Sequence, residues 1–353
     1  MLVAMSGGVD SSVAAAVLHE QGYRVVGSHM KLIHLEGVDH GCCGPQAESD
    51  ARAVAELVGF DFEVVDMNAE FERTVLSDFY AEHRAGRTPN PCVRCNEHIK
   101  FRAFLDRADR LGFDFVATGH YARTWRDDAG RWHLGRGLDR TKDQSYVLHV
   151  LGQEQLGRAL FPVGWQTKDA TRAHAGRLGL PVAAKPDSQE VCFIPGADHA
   201  AFLERTAPDL VRQGEVVDAA GSVLAGHHGT FRFTIGQRRG LGVSTGKPTY
   251  VLDVDPSANR VVVGPQELLE RRGLVADGVT WVGGEPPAGQ PFEAEVRTRY
   301  RGEDAPAVVE AVGERRVRVE FRSPQRAVAP GQSAVFFRGD EVLGGGRIIE
   351  ALR

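Results

Sequence analysis

No apolar run in this 353-residue chain approaches the roughly 20 residues that a membrane-spanning helix requires. Cysteine is sparse: Cys42, Cys43, Cys92, Cys95 and Cys192 are too few for a disulfide framework. In a reducing compartment such residues point to metal binding, catalysis or simple burial. A Walker A loop is missing, as is the dinucleotide-binding fingerprint, so the two commonest glycine-rich phosphate motifs are excluded. The opening residues, Met1-Leu2-Val3-Ala4-Met5, have no basic flank and run straight into a glycine motif, which reads against a signal peptide and for a cytoplasmic location. Excess positive charge is absent too. A net charge of −5 argues against a protein that coats nucleic acid indiscriminately.

What is present fits a soluble globular protein, with 42% apolar and 25% charged residues. The length exceeds one comfortable core, so two or three domains are expected. Charge is unevenly spread: the net over residues 1–204 is −6, and over the remainder it is +1. Gly229 to Tyr250 holds Arg232, Arg238, Arg239 and Lys247 without a single acid, and Arg297, Arg299 and Arg301 crowd around Tyr300. A local basic surface on a mildly acidic protein suits selective binding of a polyanion, although a solvated charged face reads the same way.

The first part alternates short apolar strands with amphipathic helices. Strands are expected at Leu2–Met5, Arg24–Met30, Phe60–Val65 and Phe113–Thr118, with helices at 11–20, 47–58, 70–83 and 97–111. That rhythm predicts an α/β parallel sheet covered on both faces, with ligands beyond the carboxyl ends of its strands. After about residue 205 helical periodicity fades. Short β-rich runs follow at 216–218, 230–234, 249–255, 260–264, 279–282, 292–299, 307–311, 316–321, 333–338 and 341–349, separated by turn signals. The expected domains are 1–204, 205–275 and 276–353.

Ser6-Gly7-Gly8-Val9-Asp10-Ser11-Ser12 follows the first strand and opens a helix. Glycines let the backbone turn tightly and bring N–H groups close to a phosphate, and the helix start adds its positive end. The serine hydroxyls can add donors, and Asp10 can help hold Mg²⁺. Farther on, Thr88-Pro89-Asn90-Pro91-Cys92-Val93-Arg94-Cys95-Asn96 reads as a rigid loop, with both prolines excluding helix and Asn96 as the N-cap of the next one. Cys95 would then sit beside Arg94 just ahead of a helix start, two features that favour thiolate. Cys192 lies in Asp187-Ser188-Gln189-Glu190-Val191-Cys192-Phe193. Buried structural thiols and a zinc site remain alternatives, but zinc wants two close pairs, and Cys42-Cys43 makes a poor second half. Sulfur-transfer or redox chemistry fits best.

The Ser-Gly-Gly-Val-Asp-Ser loop resembles the PP-loop of ATP pyrophosphatases, of the adenine nucleotide α-hydrolase-like fold. That resemblance implies that Ala4, Met5, Ser6, Gly7, Gly8, Val9, Asp10 and Ser11 line an ATP site, with Met30 and Gly119 flanking the adenosine. Together with T-P-N-P-x-x-x-C-N, A-T-G-H-Y-A at Ala117–Ala122, K-D-Q-S-Y at Lys142–Tyr146, D-S-Q-E-V-C-F, the run Phe231–Gly242 and Pro330-Gly331-Gln332, it makes nearly the whole chain similar to the tRNA-specific 2-thiouridylase family. The resemblance implies a tRNA-uridine 2-sulfurtransferase that converts ATP to AMP and pyrophosphate while adenylating the C2 oxygen of wobble uridine 34 in lysine, glutamate and glutamine tRNAs. Cys95 would be the nucleophile and Cys192 the persulfide carrier, with a cysteine desulfurase upstream. Asn90, Pro91 and Cys92 would touch the base, and His120, Lys142, Asp143, Gln144, Arg299, Tyr300 and Gln332 the tRNA. It also implies two smaller β-rich domains after the first, the last barrel-like. Many members carry aspartate where this chain has Cys92, so an alternative gives Cys92, Cys95 and Cys192 three corners of a 4Fe–4S cluster. Another adenylating synthetase of the same superfamily is the rival activity, and Cys42 and Cys43 receive no role.

Overall fold

Leu2 and Val3, with no accessible surface, form the middle of a parallel sheet. The computed structural model describes residues 1–33, 44–187, 191–194, 196, 198–244 and 246–353; Cys42, Cys43 and the Ser188-Gln189-Glu190 portion of the second cysteine motif lie outside the described residues. The strands are β1 (Leu2–Ala4), β2 (Val26–Lys31), β3 (Asp61–Asp66), β4 (Val116–Ala117) and, after a hairpin of β5 (Ala122–Arg126) and β6 (Trp132–Arg136), β7 (Ala159–Leu160). Their order in the sheet is β3-β2-β1-β4-β7, every pair parallel. The chain steps outward from β1 to β3 and then resumes on the opposite side at β4. The reversal therefore falls between β1 and β4, and the crevice beyond their carboxyl ends is where such sheets bind ligands.

Helices cover the sheet at Val9–Glu20, Pro45–Val58 and Lys168–Arg177. A fourth runs from residue 91 to 110 and differs from expectation. Pro91 does not exclude helix but starts it, because the first helical position has no use for an N–H and suits a fixed φ. Asn90, not Asn96, takes the N-cap place. The middle of this helix, Asn96–Ala103, winds as a π-helix, as does Glu72–Leu76 within the helical stretch 68–84.

The middle domain pairs β8 (Gly214–Asp218), β9 (Val223–His227), β10 (Tyr250–Asp255) and β11 (Arg260–Gly264) in the order β10-β11-β8-β9. Its core is Val216, Phe233, Leu241, Val251, Val261 and Val263. The expected strand at 230–234 is instead a 3₁₀ turn over Thr230–Arg232. Phe231 and Phe233 are buried with Arg232 exposed between them, an alternation that mimics a strand.

The last unit is a closed six-stranded barrel of β12 (Glu270–Trp281), β13 (Phe292–Arg297), β14 (Ala305–Gly313), β15 (Arg316–Arg326), β16 (Ser333–Arg338) and β17 (Glu341–Leu352). The circuit β12-β15-β14-β13-β16-β17 closes through β12 and β17. Strict alternation along β14 and β15 turns Ala305, Ala307, Val309, Val317, Val319 and Phe321 inward. β12 is one strand across position 275, so the boundary expected there falls inside the barrel. The hairpin β5–β6 of the first domain joins the barrel sheet directly, with Glu341 opposite Gly135 and Val342 opposite Leu134.

Candidate active site

The loop after β1 closes on itself. Ser12 Oγ donates to the Gly8 carbonyl at 2.8 Å; Ser11 Oγ donates to the same oxygen at 3.2 Å and accepts the Ser6 N–H at 3.2 Å. Gly7 is left-handed at φ +67°, and a Cβ there would lie 2.2 Å from the Ala47 carbonyl oxygen. Gly119, at the end of β4, is pressed against the start of the Val9–Glu20 helix, where a Cβ would sit 2.5 Å from the Ser11 nitrogen. The two loops flanking the reversal are thus packed backbone to backbone. Ala4, Met5 and Val9 send their side chains into the core, leaving backbone groups for a ligand, whereas Ser6 is exposed and Met30 half-buried at the end of β2.

Around this loop lies a set of ion pairs that the motifs did not indicate. Lys168 Nζ, almost fully buried, contacts both Asp10 oxygens at 2.7 and 2.8 Å and Asp187 at 2.7 Å. Tyr121 donates its hydroxyl to Asp10 at 2.8 Å. Asp187 also holds Lys142 at 2.9 Å and Arg172 at 2.9 Å. Burial disfavours its charge, but hydrogen bonds from Lys168 and then Lys142 prevail and bring its pKa down to about 2. Lys185 reaches the Gly7 carbonyl at 2.9 Å and Asp50 at 2.5 Å. Both carboxylate oxygens of Asp10 are therefore engaged, and Asp10 would hold a cation only by giving up Lys168. These contacts join positions from 10 to 187; periodicity and spacing carry no signal for them.

The cysteine helix is placed from the opposite end of the chain. Gln332 donates to the Thr88 and Pro89 carbonyls at 2.8 and 3.3 Å, and the Thr88 N–H donates to Pro330 O at 3.0 Å. Gly331, at φ +94°, packs so closely that a Cβ would meet the Thr88 backbone at 2.8 Å. Cys92 is exposed in the first turn of the helix; Cys95, three residues on, is buried among Val93, Ile99 and their neighbours. Burial pushes the Cys95 thiol up to about 11, the opposite of the thiolate expected from a helix start. The reason is the helix itself. With its N-terminus at Pro91, Cys95 lies past the first turn, and Arg94 is engaged by Glu97 at 2.6 Å. Cys192 is half-buried against the same apolar core, anchored by Phe193, whose ring meets Phe71, Phe79 and Phe202. Cys92, Cys95 and Cys192 hold no disulfide. Among the described residues, which include all three, no group of three or more His, Cys, Asp or Glu is gathered to hold a metal ion.

Other residues expected at RNA are occupied inside the protein. His120 is buried, its Nδ1 2.7 Å from Thr118 Oγ1 and its ring against Phe101 and Phe161; burial lowers its pKa well below the usual value, so it is a neutral, packed imidazole. Asp143 is buried and accepts from Gly137 N–H and Ser145. Gln144 accepts the Tyr121 N–H, and Arg299 donates to the Ile235 and Ala327 carbonyls. Tyr300 is half-buried beside Tyr146, within electrostatic reach of Cys92. Arg238 and Arg239 are exposed on the middle domain.

Comparison with known proteins accounts for all three units. Residues 1–196 match the tRNA methyl transferase HUP domain, 200–265 the tRNA methyl transferase PRC-barrel domain and 271–348 the aminomethyltransferase beta-barrel domain. The tRNA-specific 2-thiouridylase MnmA of Geobacter metallireducens is 50% identical over 100% of this chain and 97% of its own length. The proteins of the same name from Carboxydothermus hydrogenoformans and Chloroflexus aggregans are 47% and 48% identical, over 100% and 99% of this chain and 98% of each relative. An agreement of this extent, spanning the nucleotide loop, both cysteine segments and the barrel, leaves one conclusion: the chain belongs to the tRNA-specific 2-thiouridylase family.

Proposed function

We infer that this chain replaces the C2 oxygen of a tRNA uridine with sulfur at the expense of ATP. The observation that carries the reading is a shared cation. Lys100, on the cysteine helix, acts electrostatically on Cys92 and Cys95 and also on His120, which directly follows the Gly119 that packs on the nucleotide loop. That shared cation supports a reading in which thiols and nucleotide loop serve one site.

The carbonyl oxygen of a uridine is a poor leaving group, and transfer to AMP makes it a good one. Pyrophosphate departs against the backbone N–H groups of Ser6 to Ser12, where the helix start favours negative charge. A bound divalent cation such as Mg²⁺ would neutralise phosphate charge there. The terminal sulfur of a Cys192 persulfide attacks C2 and expels AMP. Cys95 then attacks the Cys192 sulfur, breaking the persulfide bond and leaving thiouridine and a Cys95–Cys192 disulfide. An external dithiol returns two electrons and both thiols. The base must leave its stack to reach the site, entering past Asn90, Cys92 and Tyr300. The RNA body would lie along Gln332, Arg238 and Arg239. The wobble uridine 34 of lysine, glutamate and glutamine tRNAs is the proposed target, with a cysteine desulfurase as sulfur donor and the cytoplasm as compartment.

Incubation with ATP, a persulfide donor and tRNA, followed by nucleoside mass analysis, tests this. 2-Thiouridine should form with the wild-type chain and be absent with Cys95→Ser or Cys192→Ser, while both variants still bind ATP. Full activity in either variant refutes the cysteine roles.

A further inference from the structure

Three cations converge on a single carboxylate beside the nucleotide loop. Asp187 Oδ1 meets Lys168 Nζ at 2.7 Å and Arg172 at 2.9 Å, and its Oδ2 meets Lys142 at 2.9 Å. Lys168 simultaneously touches Asp10 in the first turn of the helix that the loop opens. Adding Lys185 on the Gly7 carbonyl, the loop is ringed by four cations and three carboxylates, Asp10, Asp50 and Asp187. Such a ring is close to neutral. A pyrophosphate group brings several negative charges, and the ring cannot accept them while every cation stays committed to a carboxylate.

One carboxylate has to yield, and the three are not equally fixed. Asp10 and Asp50 belong to helices, and Asp10 takes a further bond from Tyr121. Asp187 belongs to no helix or strand, standing ten residues beyond the helix Lys168–Arg177. We propose that Asp187 is a placeholder for phosphate: Lys142, Lys168 and Arg172 form a pyrophosphate-binding subsite, which the Asp187 carboxylate fills until nucleotide takes it over. The subsite rests on the nucleotide reading given above and extends it to residues outside the glycine loop. Its low pKa means that Asp187 leaves as a carboxylate rather than by taking up a proton at neutral pH.

The sign of one substitution separates this role from a structural one. A residue that merely braces the site weakens ligand binding when altered, whereas a competitor strengthens it. Titration calorimetry with inorganic pyrophosphate on the full-length protein should show Asp187→Asn binding about fivefold tighter than wild type, the size of one partly exposed ion pair lost as a competitor. Lys168→Met should bind roughly tenfold weaker or worse, having lost a charge-assisted contact. Equal or weaker binding by Asp187→Asn, with a melting temperature near wild type, overturns the proposal. If that variant does not fold, Asp187→Ser carries the same test: it too should bind pyrophosphate tighter than wild type, and equal or weaker binding overturns the proposal. A wild-type chain that binds neither pyrophosphate nor ATP removes the nucleotide reading as well. A wild type that binds both, with no gain in Asp187→Asn, removes only the placeholder.

Discussion

The thiol assigned to nucleophilic attack is protonated in the RNA-free protein, and that can be measured. Cys95 is 7% exposed, and burial raises its pKa to about 11. At about pH 7.5 roughly three in ten thousand Cys95 side chains are thiolate, against about one in ten for an ordinary thiol. A more basic thiolate is intrinsically more nucleophilic, which restores about a factor of ten, so ionisation alone should slow alkylation about thirtyfold. Occlusion slows it further. Because the pKa is raised, reactivity should climb tenfold per pH unit through the neutral range and start to level only near pH 11. Iodoacetamide labelling over a pH series gives the profile. Trypsin cleaves after Arg87, Arg94 and Lys100, so Cys92 and Cys95 fall on separate peptides, 88–94 and 95–100, and mass spectrometry reads each rate in one experiment. Cys92, more exposed although burial raises its thiol too, serves as the internal reference. A Cys95 rate that levels off below about pH 9, or equals that of Cys92 at neutral pH, refutes the argument. Labelling of Cys95 should rise when nucleotide and tRNA are both bound, since attack on a persulfide needs the thiolate.

Two more outcomes follow from close packing. Gln332→Ala removes two hydrogen bonds to the segment ahead of the cysteine helix and should cost about 1–2 kcal/mol in a denaturant melt, with thiolation kcat falling more than KM for tRNA rises. Equal loss through KM alone would make Gln332 an RNA contact only. Gly119→Ala places a methyl group 2.5–2.8 Å from backbone atoms of Asp10 and Ser11, which no side-chain rotation relieves. It should cost about 1–3 kcal/mol and abolish ATP binding in calorimetry; unaltered affinity would separate Gly119 from the nucleotide site.

The sequence carries those features that depend on neighbouring residues. Strand β11 and strand β16 stand at the residues expected, because short β-branched and aromatic runs between turns are local signals. The hairpin β5–β6 escaped notice. Its register is set by strand β17 two hundred residues away, and little in Ala122–Arg126 alternates cleanly. The Pro91 helix was misread for a related reason: proline at a first helical position and proline inside a loop look identical until the hydrogen bonds of the next turn are known. Misplacing that start by six residues moved Cys95 from an activating environment to a buried one. In the nucleotide site the loop was legible and its surroundings were not. In sequence Asp187 is only a letter of a cysteine motif, and Lys168, Arg172 and Lys185 form no pattern, since tertiary folding alone brings them to the Ser6–Ser12 turn.

The barrel also positions the cysteine helix. Its Pro330-Gly331-Gln332 turn makes three backbone contacts with Thr88 and Pro89, immediately before the helix that carries Cys92 and Cys95. Tyr300, between β13 and β14, lies within electrostatic reach of Cys92, and Arg347 of β17 pairs with Asp78 at 2.6 Å and with buried Glu82 at 3.0 Å on the neighbouring helical stretch. Meanwhile β17 continues into the first domain's hairpin. A barrel tied at these points shares its position with the start of the cysteine helix. The π-wound segment Asn96–Ala103 lies directly downstream, where the hydrogen-bond ladder is displaced from α-helical register. Because the Gln332 amide is bonded to the two residues just ahead of Asn90, the barrel turn and the start of the helix that carries Cys95 are positioned together.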